Sequence, residues 1–328
     1  MTTVQTHIPK VSILIPVFNR KDFIAECIQS ALNQTYTNFE IVVADNASDD
    51  GTWEICQKFA EKDRRVRIFR NETNVGPVRN WKCCFDWARG EFGKILFSDD
   101  SIVPQYLERT LPFIEDVQVG FAYALAEIGE RPGCGVINQN SPFKKSGKIA
   151  SNAYIEEACI GVRTPVSPGA AIFRMADLKR NLMMEVPSPT FHDFAALGAG
   201  PDLLLYLLTA NQYTHIAYVD EPLAFFRAHP SSITVREKSH IGGRYNQARL
   251  WFVSNYSADS LISRTIARAW LSDCKRQRKL FALRSTLKCY FSSPPKIHVL
   301  KIWMGAIRIV LSESKSWLLL HMRTQHTS

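Results

Sequence analysis

What most restricts the fold of this 328-residue chain is an alternation near its start. Two short apolar runs rich in β-branched residues, 11–18 (VSILIPVF) and Phe39–Asp45 (FEIVVAD), are separated by a segment of helical spacing. A run that is apolar at every position suits a strand covered on both faces, as in parallel sheets. Residues 22–34 put Phe23, Cys27, Ile28, Ala31 and Leu32 on one helical face, with Asp22 expected as N-cap. Residues 52–61 and 78–88 read as further helices, and Val66–Arg70 and 94–97 as further strands. A strand–helix unit every ~25–30 residues predicts an α/β, Rossmann-like domain with a mainly parallel central sheet and helices on both faces.

The middle of the chain is less patterned. Residues 129–151 read as a long surface loop, 169–174 as a strand, 202–209 as a helix, and 217–226 as an extended stretch broken by Pro222. From Lys238 onward the spacing is helical, interrupted at Ser292-Ser293-Pro294-Pro295. The expected organisation is a nucleotide-binding half over 1–120, a second half over 121–235, and a basic helical C-terminal extension over 236–328. Residues 236–328 carry 17 Lys/Arg against 4 Asp/Glu, so the net charge of +9 arises wholly there. Such a segment meets something anionic.

The 8 cysteines form no CxxC pair, and the N-terminus lacks the apolar core of a signal peptide. Reduced thiols and a cytoplasmic location are expected. No stretch reaches the ~18 uninterrupted apolar residues of a membrane span. Trp303, Trp317 and the neighbouring Lys/Arg leave two readings for residues 296–323: a helix lying on an anionic membrane surface, or one packing its apolar face on the catalytic domain. Nucleic acid is not expected as a partner, because the tail carries no recognisable reading motif.

In an open α/β sheet, ligands bind beyond the carboxyl ends of the strands. The first strand runs into Pro16-Val17-Phe18-Asn19-Arg20, the second into Asp45-Asn46, and the fourth into Ser98-Asp99-Asp100. A dinucleotide fold needs glycines in the first turn, and PVFNRKD has none; a phosphate-binding lysine loop is equally absent. A nucleoside diphosphate here would need another counter-charge. A divalent cation held by Asp99 and Asp100 supplies it, and also relieves the repulsion between adjacent carboxylates.

The runs VSILIPVFN, FEIVVADNASDDGT and NVGPVRNWKCCFDWARGEFGKILFSDD, followed by Gly200-Pro201-Asp202, Val219-Asp220-Glu221-Pro222-Leu223 and Arg227-Ala228-His229, resemble family 2 glycosyltransferases. The resemblance is strongest over residues 10–120. It implies a GT-A fold and an inverting enzyme of bacterial polysaccharide or cell-envelope type. Such an enzyme moves a sugar from a nucleotide diphosphate, usually UDP, to a hydroxyl of a glycan or lipid-linked acceptor, on the inner face of the cytoplasmic membrane. By position, the resemblance implies that Pro16, Val17 and Asn19 lie against the nucleoside and that Asp45 accepts a hydrogen bond from the base. Asn74 shapes the donor loop, and either Arg79 or Asn80 reaches the phosphates. Asp99 and Asp100 match the motif that binds Mn²⁺ or Mg²⁺ through the diphosphate, and Asp99 counts among the donor contacts. His229 falls at a further metal-ligand position and Asp202 at that of the catalytic base. The chain departs from the pattern at Asn46-Ala47, where Asp-Gly is usual, and at Phe97, where an acid is common.

Each role has a competing structural one. Asp202 could N-cap its helix, with Asp193 as the rival base, and His229 could be a polar loop residue. The competing functions are a nucleotidyltransferase, which needs the absent Gly-rich first loop, and a noncatalytic GT-A-fold subunit of a membrane-associated assembly complex.

Overall fold

The computed structural model describes residues 8–137, 142–161, 164–190, 193–232, 236–277, 282–293, 295 and 297–324. The chain forms two compact units, Met1–Glu185 with Asp193–Ile241, and Val186–His192 with Gly242–Ser328.

The first unit is built on a ten-stranded sheet. β1 (Val11–Val17) and β2 (Phe39–Asp45) are buried at every position, the burial their unbroken apolar sequence calls for. They pair in parallel with Val17 opposite Asp45. β3 (Val66–Arg70) adds to β2 with Arg70 beside Asp45, and β4 (Phe92–Ile95) adds in parallel to the other side of β1. The order β3-β2-β1-β4 reverses direction at β1, and that reversal opens a crevice at the carboxyl ends. Helices α1 (Ile24–Leu32), α2 (Thr52–Lys62) and α3 (Pro77–Trp87) make the crossovers. Right-handed connection puts α3 on the face opposite α1 and α2. α1 is capped at Phe23 rather than Asp22, so the expected cap lies one residue too early. The Ser48–Gly51 turn enters α2 through Gly51 at φ +99°, with Asp50 accepting from the Thr52 N–H.

β5 (Ser101–Ile102) and α4 (Tyr106–Ile114) lead to β6 (Val119–Gly129), a long strand that the sequence reading left unassigned. The segment expected as one loop contains two short strands, β7 (Val136–Ile137) and β8 (Gly147–Ala150); residues 138–141 lie outside the described residues. α5 (Ser151–Ile160), β9 (Ala171–Arg174), α6 (Met175–Asn181) and α7 (Pro201–Ala210) follow. β10 (His215–Arg227) runs parallel to β6 straight past Pro222, where the register slips. The bulge absorbs the missing proline N–H, so the strand is bent rather than broken. β9 joins β4 to β6 antiparallel, so one sheet carries both halves of this unit.

The second unit is helical: α8 (Lys238–Tyr256), α9 (Asp259–Gln277), α10 (Leu283–Tyr290) and α11 (Val299–Thr324). Its buried acid, Asp273, accepts hydrogen bonds from Arg276, Thr286 and Tyr290, which ties α9 to α10. No helix among the described residues is long and apolar enough to cross a membrane.

Candidate active site

The carboxyl ends of β1, β2 and β3 form one polar edge. Asp45 is completely buried there. Its Oδ2 accepts from the Ser48 N–H at 3.1 Å and lies 3.3 Å from Arg70 Nε. Its Oδ1 is buried with no hydrogen-bond partner. An orphaned carboxylate oxygen at the ligand edge of a sheet is costly unless a donor arrives from outside the chain.

Asparagines hold this edge in shape. Asn46 donates to Asn74 Oδ1 at 2.7 Å and accepts from Val75 N and Asn71 Nδ2. Asn80 is buried, donates to Ala44 O at 2.9 Å and accepts from Asn71. It therefore spends its amide on the strand ends, while Arg79, one residue earlier, is exposed. Asn19 takes φ +50°, and its side chain and Asp49 exchange two hydrogen bonds. Pro16 and Val17 are buried, and Val17 O accepts from Asn46 N.

Beyond β4 the chain turns through Ser98-Asp99-Asp100. Asp99 Oδ2 lies 2.9 Å from His229 Nε2 and 3.6 Å from Arg20 Nε. His229 is held from behind by Ser231 Oγ at 2.9 Å and by the Phe23 ring. Asp100 Oδ1 accepts from the Arg227 N–H, and Arg227 Nε donates to Asp99 O, so the end of β10 clasps the acidic pair. Arg227 is anchored in turn on Glu26 at 2.7 Å. Burial, reinforced by the neighbouring Asp99 charge, pushes the Asp100 carboxyl well above the usual carboxylate range. Two acids forced together in this way favour a cation. His/Cys/Asp/Glu groups of three or more with metal-holding geometry are absent among the described residues. As they stand, Asp99, Asp100 and His229 are paired with protein groups: His229 with Asp99, and Asp100 with the Arg227 N–H.

Arg20 links the two regions: its Nε approaches Asp99, and its backbone N–H donates to Thr52 Oγ1 at 2.8 Å. Asp202 is buried at the start of α7. It occupies the second position of α7, where its Oδ1 accepts from Gly200 N at 2.8 Å and Leu203 N at 2.6 Å. The path to the acidic loop runs through packing: an added Cβ on Gly198 would meet Trp81 at 3.0 Å, and Trp81 lies against Phe97. Asp193, the rival, is exposed.

The sequence reading passed over Arg70 and Lys94, and placed Arg20 at the ligand edge without giving it a role. Lys94 lies fully buried on β4 with its ammonium 4.2 Å from the Tyr106 ring centre, and donates to Gly169 O. Burial lowers its pKa to about 7, against the raising influence of Asp100 and Cys27. Tyr106 and Tyr206 donate to Ala170 O and Ser167 O, so three buried donors fix the turn ahead of β9. A lysine inside the apolar run of residues 92–97 was the available signal.

A sheet of this order, with a polar edge at β1–β3 and an acidic loop after β4, defines the GT-A fold. Residues 12–158 match the family model described as Glycosyl transferase family 2. The chain is similar to UDP-Glc:alpha-D-GlcNAc-diphosphoundecaprenol beta-1,3-glucosyltransferase WfaP of Escherichia coli, 37% identical over 114 residues, covering 35% of this chain and 45% of that protein. It spans less than two thirds of the length of the first curated relatives it matches. Among solved structures, S. aureus TarS 1-349 in complex with UDP-GlcNAc superimposes with a TM-score of 0.66 at 18% identity, over 94% of this chain and 92% of that one. Mannosyltransferase PcManGT from Pyrobaculum calidifontis, in complex with GDP-Man and Mn²⁺, does so at 0.52 and 16% identity, over 98% and 84%.

Proposed function

We propose that the protein is an inverting glycosyltransferase that moves a sugar from a UDP-sugar to a hydroxyl of a glycan or lipid-linked acceptor in bacterial cell-envelope polysaccharide assembly. The observation that carries the reading is the unpaired, buried Asp45 Oδ1 on the sheet edge that Arg20 connects to Asp99. Asp45 accepts the base N–H, Arg70 steadies it, and Pro16, Val17 and Asn19 line the nucleoside. Asn74 shapes the donor loop and Arg79 meets the phosphates, while Asn80 acts from behind by fixing the strand ends. Asp99, Asp100 and His229 would hold Mn²⁺ or Mg²⁺, which would supply positive charge against the departing diphosphate. Asp202, oriented by two backbone N–H groups, removes the acceptor proton on the face opposite the leaving group, so a single displacement inverts the anomeric carbon. UDP-bearing relatives and a Mn²⁺-bound structural neighbour support the donor class and the metal. A lipid-linked acceptor puts the protein in the cytoplasm, peripheral on the inner face of the membrane.

The test is UDP release from a panel of UDP-sugars with Mn²⁺ and an acceptor extract. Asp202→Asn should lower turnover by about a hundredfold or more while leaving UDP binding intact. Undiminished turnover in that variant removes Asp202 from the chemistry, and a protein inert toward the whole panel is the noncatalytic subunit instead.

A further inference from the structure

Helix α11 carries two apolar faces, and only one packs inside its own unit. Ile302, Gly305, Ala306 and Ile309 are buried. A Cβ added to Gly305 would come within 3.3 Å of Ala267 and 3.4 Å of the Arg264 Cα, so α9 and α11 approach almost backbone to backbone. Trp303 meets Trp270 edge-on with ring centres 4.7 Å apart.

The second face follows the three- and four-residue spacing of one helix side: Leu300, Met304, Ile307 and Leu311. These four, with Val299 and Trp303, are 45–68% exposed. A contiguous apolar row of this length on a surface marks an interaction site. Lys301 and Arg308, seven residues apart and therefore aligned, are exposed beside it. The surrounding segment 236–328 has 17 basic residues against 4 acidic ones. A protein partner could satisfy either property, but an apolar row edged by cations in so basic a segment matches both layers of an anionic bilayer: phosphates outside, acyl chains beneath.

We propose that residues 299–311 seat the protein on an anionic phospholipid bilayer, with Leu300, Met304, Ile307 and Leu311 among the acyl chains and Lys301 and Arg308 on the phosphates. This names the surface on which a lipid-linked acceptor would be met, yet stands without the transfer chemistry. The experiment sediments the full chain with vesicles of phosphatidylglycerol and phosphatidylcholine in equal parts, and with phosphatidylcholine alone. The wild type should follow the anionic vesicles only. Leu300→Asn with Ile307→Asn should cut partitioning roughly tenfold or more, and Lys301→Gln with Arg308→Gln should weaken it and flatten its salt dependence. Both variants alter exposed side chains, so circular dichroism and UDP binding should match the wild type and exclude misfolding. A wild type that stays in the supernatant overturns the proposal. So does an apolar variant that sediments as the wild type does, or one that instead turns a dimer into a monomer, since the row is then an interface between copies. UDP release on a soluble acceptor fails or succeeds separately, and reports only on transfer.

Discussion

At the scale of single residues, the site and the scaffold use carboxylates in opposite ways. Asp45 keeps one oxygen without a partner, whereas Glu40, five residues earlier on the same strand, is saturated. Glu40 accepts from Ser12 Oγ, Arg67, Arg89 Nε and the Arg89 N–H, and ties β1, β2, β3 and the turn before β4 together. Burial pushes the Glu40 carboxyl up, but these hydrogen bonds together outweigh it and hold the group below its ordinary value of 4.5. A depressed carboxylate contributes stability that is full above the unfolded pKa and is lost as pH falls through the folded one. Glu40→Gln should therefore cost about 3 kcal/mol at neutral pH in urea unfolding, and the gap to wild type should close in acid below the carboxylate range. A gap that stays constant from neutral pH into acid contradicts this role. The places of Asp45 at the end of β2 and of Asp99 and Asp100 in the turn after β4 were legible in the sequence; their roles remain proposals. The saturation of Asn80 was not legible, since its partners are backbone carbonyls of β1 and β2 brought together only by the fold.

At the scale of elements, β1 through α3 could be read almost residue by residue, because the period changes cleanly between strand and helix. β6 could not. Its VGFAYALAEIG mixes alanines with aromatics, and only pairing with β9 and β10 on either side decides for a strand. Pro222 misled in the other direction, since a bulge lets β10 continue. Gly90, in the turn before β4, shows how tightly the readable part is fitted. A Cβ there would lie 2.6 Å from Ser12 N and 2.7 Å from Val11 C, backbone atoms that cannot move aside. Gly90→Ala should destabilise the protein by roughly 1–3 kcal/mol through displacement of β4 from β1. Thermal unfolding checks it, and an unchanged midpoint would show that the turn relaxes freely.

At the scale of the molecule, the basic excess counted over 236–328 falls largely in the helical unit, which takes in Val186–His192 and Gly242–Ser328. Charge asymmetry was visible from counting alone. The pairing of one buried and one exposed apolar face on α11 required the structure, because periodicity does not say which side finds α9. The side chain of Trp317, which entered the reading of the tail, lies outside the described residues.

The account depends on Asp45 and Asp99 serving one ligand from two ends. Calorimetric titration of UDP into wild type, Asp45→Asn and Asp99→Asn, with Mn²⁺ and with chelator, measures this directly. Wild type should bind strongly only with the ion. Asp45→Asn should lose about tenfold or more in affinity yet keep that ion dependence, and Asp99→Asn should lose the ion dependence itself. Equal UDP affinity in all three proteins, with or without Mn²⁺, would contradict a shared nucleotide site.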